Sequence, residues 1–160
     1  MRIILGKEDK DKQWTIKETQ KHIDQVGENV GRIVRELQIR AERHDDSKLG
    51  KEELPGFTEY TPKLEETTYG SDEYKELLKG LKPILDHHYK NNRHHPEYHK
   101  NGIDDMNLID LVEMFCDWGA ATKRHADGDI MKSIKHNKDR FKMNEQLVKI
   151  FENTAKEFTK

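Results

Sequence analysis

Residues 106–123 read MNLIDLVEMFCDWGAATK, the most hydrophobic helical stretch of the chain, and their spacing decides the fold. Leu108, Leu111, Val112, Met114, Phe115 and Trp118 recur at the three- and four-residue steps of an α-helix that buries one side. Asp110, Glu113 and Asp117 fall at i, i+3 and i+7, so three carboxylates share another face of the same helix. An ionised carboxylate that leaves water must be paired or must bind a cation. That face therefore meets solvent, basic side chains or a metal ion, and the remainder of the chain has to decide which.

Working upstream, residues 15–43 carry a second helical stripe through Ile23, Val26, Val30, Ile33, Val34, Leu37 and Ala41. His44 comes three residues after Ala41 and continues that stripe, with Asp45 at the helix exit. Residues 49–70, LGKEELPGFTEYTPKLEETTYG, contain Pro55, Pro62 and three glycines and read as an irregular connection with one short helical turn. Ser71 is a candidate N-cap, followed by Asp72 and Glu73 where carboxylates suit the helix dipole. The stripe Tyr74, Leu77, Leu78, Leu81, Ile84, Leu85 leads to His88, which faces inward while His87 does not; Gly80 and Pro83 predict a kink or break near residue 80. Residues 89–104 are polar, with Pro96 and Gly102, and read as loop or short helical turns.

Downstream, 129–141 form another short helix, and NEQLVKIFENTAKEF closes the chain as an amphipathic one through Leu147, Ile150, Phe151, Thr154 and Phe158. MRIIL at the start reads as a frayed end or short edge strand. No segment shows strand alternation. The expected class is all-α: a single-domain bundle of five or six helices over residues 15–160, preceded by an extension over 1–14.

Composition fits a folded, highly charged domain. Hydrophobic residues are 32% and Asp, Glu, Lys and Arg 38% of the 160 residues, so the apolar side chains must be economically placed, and two Trp, five Phe and five Tyr supply bulky packing. A formal charge of −2 without a polybasic block argues against indiscriminate binding to duplex nucleic acid or an acidic membrane. The single cysteine, Cys116, excludes an internal disulfide, and its place in LVEMFCDW predicts a buried thiol. No stretch approaches the ~20 apolar residues of a membrane span, and MRIILGKEDK is too short and too acidic for a signal peptide, so the expected location is the cytoplasm. A homo-oligomer is compatible with these totals.

Histidine is distributed unevenly. HHYKNNRHHPEYH, residues 87–99, holds five of the nine. Taken singly, each ring reads as a hydrogen-bonded core residue or part of a solvated loop. Taken with the His44-Asp45 pair, whose side chains diverge by ~100° and can approach one ion from two sides or bridge two, they read as ligands. Mixed imidazole and carboxylate donors suit Zn, Mn, Fe, Co or Ni more than Ca or Mg.

The order HIDQV at 22–26, RAERHDDSK at 40–48, the HH pairs at 87–88 and 94–95, and Asp117 resembles the HD-type metal-dependent phosphohydrolases, helical bundles that hold one or two divalent ions. More closely, HDDSK, YGSDEY, HHYKNNRHHPEYH, MNLIDLVEMFCDW and AATKRHADGDIMKSI are similar to a family of small bacterial and phage proteins of unknown function, over roughly residues 15–155. The resemblance implies an HD-like fold with His44, Asp45, His88, His94, His95 and Asp117 as metal ligands. It also implies Lys48 facing a substrate phosphate, although Ser47 stands where the HD pattern has glycine. His22 fits less well: the 22 residues to His44 span ~33 Å of unbroken helix, so it joins the site only if the chain folds back near Gly27 and Gly31.

From this set the expected activity is hydrolysis of a phosphoester by a metal-activated water. Lys48 and Arg93 would contact the phosphate, Asn92 would add a polar contact, and Glu113 would stand behind the ligands or move a proton. Tyr89 or Tyr98 would stack on a base. By analogy with the superfamily the substrate is a small-molecule nucleotide, met in the host cytoplasm if the chain is phage-encoded. Two other classes stay open: a non-catalytic phage factor that binds a nucleotide or a protein around a structural metal, and an oxygenase built on paired iron.

Overall fold

The structure is a computed structural model whose described residues are 7–67, 71–123 and 128–158. They form six α-helices, α1 Lys7–Arg43, α2 Leu54–Glu66, α3 Asp72–Asn91, α4 Leu108–Thr122, α5 Ile130–Phe141 and α6 Glu145–Phe158, with short 3₁₀ turns at Asp46–Leu49, Pro96–Tyr98 and Gly102–Asp105. No strand occurs among the described residues, in keeping with the missing alternation. MRIIL lies outside them. No described helix is long and apolar enough to cross a membrane.

By contacts the chain divides into two units, Met1–Ile39 and Arg40–Lys160. The described part of the first is α1 up to Ile39, which runs without a break through Gly27 and Gly31 and buries no residue. Its exposed surface carries local ion pairs such as Lys12–Glu8 at 2.8 Å and Lys21–Glu18 at 2.6 Å.

The second unit is built on two packing layers. One is the core of α4, α5 and α6, where Met114, Phe115, Trp118, Ile134, Met143, Val148, Phe151 and Ala155 are buried together. Its aromatic rings meet at close range, Phe115 stacking on Phe151 with centroids 5.7 Å apart and Trp118 meeting Phe151 edge-on at 5.5 Å. The other layer is α2 against α3. Here the sequence reading needs correcting, because 54–66 is helix and not irregular connection. Pro55 sits in the first turn, where its missing N–H costs nothing, and Pro62 is carried inside the helix. Nor does α3 break near residue 80. It runs unbroken from Asp72 to Asn91, capped by the Ser71 hydroxyl, which accepts from Tyr74 N at 3.1 Å.

Glycines that look like breakers serve the contact between these two helices. A Cβ on Gly56 would lie 2.5 Å from Cγ1 of Ile84, and one on Gly80 would lie 2.5 Å from the Tyr60 hydroxyl and 2.7 Å from its ring. Only glycine permits that approach. The result is a pair of helices close enough to fix the C-terminal turn of α3, where the histidines begin.

Around α4 the side chains sort by angle. Met114, Phe115 and Trp118 enter the core, Asp110 and Glu113 are buried on the neighbouring arc, and Leu108, Val112 and Cys116 lie on the remaining, exposed one. Cys116 is therefore exposed, contrary to the reading of LVEMFCDW. Phe115 before it is buried and Asp117 after it half-buried, but it stands about 100° from each of them around the helix.

Candidate metal centre

Four chain segments of the second unit meet at one point. The first is the end of α1, where Asp45 adopts left-handed backbone (φ 60°) before the 3₁₀ turn Asp46–Leu49. A residue with a Cβ holds that conformation only against a local cost of about 1–2 kcal/mol, so surrounding contacts must fix it. The second is the last turn of α3, with His88 turned inward and fully enclosed, while His87 stays largely exposed. The third is the connection after α3, which carries His94 and His95 into the 3₁₀ turn Pro96–Tyr98. The fourth is the acidic arc of α4.

The donor atoms converge on the Asp45 carboxylate. Its Oδ1 lies 3.2 Å from His88 Nε2 and 3.6 Å from His94 Nε2, and His88 Nε2 lies 3.0 Å from His95 Nε2. On the other side, His44 Nε2 is 3.6 Å from Asp45 Oδ2 and 3.6 Å from Asp117 Oδ1, and Lys48 Nζ is 2.6 Å from Asp45 Oδ2. Asp45, His88, His94 and His95 each offer one ligand atom, all within 4.8 Å of one another, and His44, His94 and Glu113 form a second such group. These separations suit a small divalent ion, for which ligand distances near 2.0–2.1 Å put tetrahedral donors roughly 3.3 Å apart.

Buried carboxylates behind the rings assign their tautomers. Glu53, with no exposed surface, accepts from His88 Nδ1 at 2.9 Å, from His87 Nδ1 at 2.7 Å and from the Ser47 hydroxyl at 3.0 Å. Glu113 Oε1 accepts from His44 Nδ1 at 3.0 Å and lies 3.2 Å from His94 Nδ1, while Arg40 holds its other oxygen at 2.9 Å. With Nδ1–H directed to a carboxylate, the Nε2 lone pairs of His88 and His94 face the centre. The group of His44, His94 and Glu113 is thus accounted for by hydrogen bonds, and the group around Asp45 is not. Asp45 Oδ1 and His94 Nε2 are buried there without a hydrogen-bond partner. A proton can join only one pair of these donors at a time; a cation can meet all four.

Electrostatics agree with that division. Burial alone would raise Glu113, but the hydrogen bonds from His44 and His94 hold it down to about 2. Burial also opposes ionisation of Asp45, and the proximity of His88 and Lys48 outweighs it, leaving the carboxyl well below its usual range. His44 is pushed up to about 10, first by Asp117 and then by Glu113. His95 is driven down to about 3 by burial and by His94 and His88, so it stays neutral with a lone pair to offer.

The remaining sequence candidates lie close by in different roles. Asn92 donates to the Ser47 hydroxyl at 2.6 Å and to the His88 carbonyl at 2.8 Å, bracing the end of α3. Arg93 grips Asp110 in a two-pronged contact, Nε to Oδ1 at 2.7 Å and Nη2 to Oδ2 at 2.9 Å. Asp110 also pairs with Arg40 at 3.2 Å and caps α4, accepting from Asn107 N at 3.1 Å, so this carboxylate is committed to ion pairs and the helix cap. Lys48 lies beside the cluster and partly exposed, its ammonium 5.3 Å from the centre of the Phe57 ring. His22 belongs to neither group of ligand atoms and sits on the unbroken part of α1. Sequence reasoning missed Glu53 and Arg40. Glu53 carried no signal, since EEL at 52–54 looks like any charged loop; Arg40 had one, standing four residues before His44 on the same side of a helix. A groove of about 580 Å³ opens beside this loop and is lined by Pro96, Glu97, His99 and Arg140, with none of the donor residues in its wall.

Among curated proteins and among solved structures, none matches the chain. One family does, and it takes in every residue of the cluster, from α1 to α6: over residues 11–157 the chain belongs to the family of unknown function DUF5662.

Proposed function

We propose that the chain is a metal-dependent phosphohydrolase acting on a small phosphoester such as a nucleotide, with one divalent ion of the Zn, Mn, Fe, Co or Ni group held by Asp45, His88, His94 and His95. The observation that carries this reading is the convergence of four donors, two of them buried without hydrogen-bond partners, on a point backed by Glu53 and Glu113. The ion would supply an ionised water near neutral pH and neutralise charge on a phosphoryl oxygen. The chain's own contribution is to fix the ligands. Glu53 and Glu113 orient the rings, Arg40 keeps Glu113 in place, and Lys48 offers a partly exposed cation next to Asp45 for a second phosphoryl oxygen. His44 with Asp117 forms an adjacent imidazole-carboxylate pair on the Asp45 Oδ2 side, available to a second ion or to proton transfer. The likeness to HD-type enzymes in the order His-Asp, later His, Asp is consistent with this reading.

One observation favours a second reading. Four protein donors already complete a tetrahedral zinc site, and closed sites of that kind are structural. The chain would then be a non-catalytic binding factor. The two separate in one experiment: the purified protein is loaded in turn with Mn, Co, Ni, Zn and Mg and offered mono-, di-, tri- and cyclic nucleotides and a generic aryl phosphate. Turnover with an open-coordination ion, abolished in His88→Ala, supports hydrolysis. No turnover with any ion, together with unfolding on chelation, establishes the structural role.

A further inference from the structure

The first unit presents a helix whose apolar side has no cover among the described residues of that unit. Ile16 (68% exposed), Ile23 (55%), Val26 (45%), Val30 (54%) and Ile33 (47%) stand open along α1. With Thr19 and Leu37 they occupy positions 16, 19, 23, 26, 30, 33 and 37, alternating steps of three and four without a slip. That is a heptad seam, with Ile16, Ile23, Val30 and Leu37 in the a positions and Thr19, Val26 and Ile33 in d. A helix face that merely packs on a core drifts at 3.6 residues per turn, whereas a strict seven-residue repeat is the mark of helices that supercoil about one another. The repeat ends where the next d position is Arg40, whose guanidinium is committed to Asp110 and Glu113.

Charge says which helix fits. The seven charged residues from Lys17 to Arg35 all fall on the outer b, c and f positions. The e and g positions that flank the seam, from Thr15 to Glu36, include Gln20, Gly27, Asn29 and Val34 and are formally charged only at Glu36, counting His22 neutral. A foreign partner helix would ordinarily be selected through charges at these flanks; here they are neutral, and two copies meet without like-charge conflict in either direction. The seam from Ile16 to Leu37 is ~32 Å long on a cylinder ~11 Å wide, which offers roughly 1,000 Å² over a pair of helices, enough for a specific contact. We infer that α1 is a self-association helix, and that its occupant is the same helix of a second copy of this chain. This does not rest on the metal centre.

The test is sedimentation equilibrium of the full chain at about 100 μM, beside Ile23→Lys/Val30→Lys on the seam and Glu28→Lys on an outer position. The wild type and E28K are expected at a multiple of 18.9 kDa, two copies at the least, and the seam pair at 18.9 kDa. Upfield methyl signals in the proton spectrum, from side chains packed on Trp118 and Phe151, report whether the core stays folded. If the lysine pair loses them, Ile23→Ala/Val30→Ala replaces it and is expected to weaken association at least tenfold. A wild type that sediments at 18.9 kDa, or an assembly that survives the seam substitutions, overturns the inference.

Discussion

Glu53 has no exposed surface, yet it sits where three segments cross, taking a proton contact from His87, His88 and Ser47 at once. Burial alone would raise the carboxyl; those three contacts outweigh it and keep it below its usual range. A ligand histidine whose far nitrogen loses its carboxylate loses both its orientation and part of its basicity. Glu53→Gln should therefore still fold but bind metal about 10–100-fold more weakly, as read by competition with a chromogenic chelator. Unchanged affinity would remove Glu53 from the site. Lys48 makes the opposite case. Its ammonium touches Asp45 but is no ligand, so Lys48→Ala should keep the metal and lower phosphoester turnover, the loss appearing in kcat/KM on every accepted substrate. At this scale the sequence disclosed the residues whose chemistry is rare, His44 with Asp45 and the paired histidines. It concealed Glu53, because one glutamate among thirty-one acidic residues has nothing to mark it before the fold buries it, and it marked Arg40 only by its place four residues before His44.

Among the elements, α2 and α3 show why periodicity alone stops short. The stripes of α3, α4 and α6 were legible because apolar residues recur at helical spacing on faces that are buried. α2 was not, since two prolines and a glycine occupy a thirteen-residue helix and weigh against it in any local reading. What overrides them is the neighbour. Ile84 and Tyr60 fill the space that side chains on Gly56 and Gly80 would take, so the glycines are required by packing that becomes visible only once the two helices are side by side. Gly56→Ala sets a helix-propensity gain of up to about 1 kcal/mol against an overpacking cost of about 1–3 kcal/mol beside a branched side chain with little room to shift. The variant should lose roughly 1–2 kcal/mol in urea denaturation, and because α3 carries His88, its metal affinity should fall as well. A variant as stable as the wild type would mean that Ile84 moves aside freely.

At the scale of the molecule, the site governs how stability depends on pH in the metal-free protein. His44 is raised from 6.5 to about 10, so its contribution is complete below 6.5 and is lost as pH climbs toward 10. His95 is lowered from 6.5 to about 3; the unfolded chain takes up that proton first, and stability drops as pH falls from 6.5 toward 3. Glu113, lowered from 4.5 to about 2, adds to the acid-side loss below 4.5. The three together predict a maximum near pH 6.5 in chelator-treated protein. In His44→Gln the alkaline decline should flatten, which urea midpoints across pH 4–10 would register. The proposed chemistry depends on one ion joining the end of α1, the end of α3 and the loop after it, with Glu113 of α4 standing behind the His94 ring. The most direct measurement is elemental analysis of the purified chain beside Asp45→Ala. About one transition-metal ion per chain in the wild type, and essentially none in the folded variant, is the predicted result; equal metal content in both, or a wild type that takes up no ion when one is supplied, would contradict it.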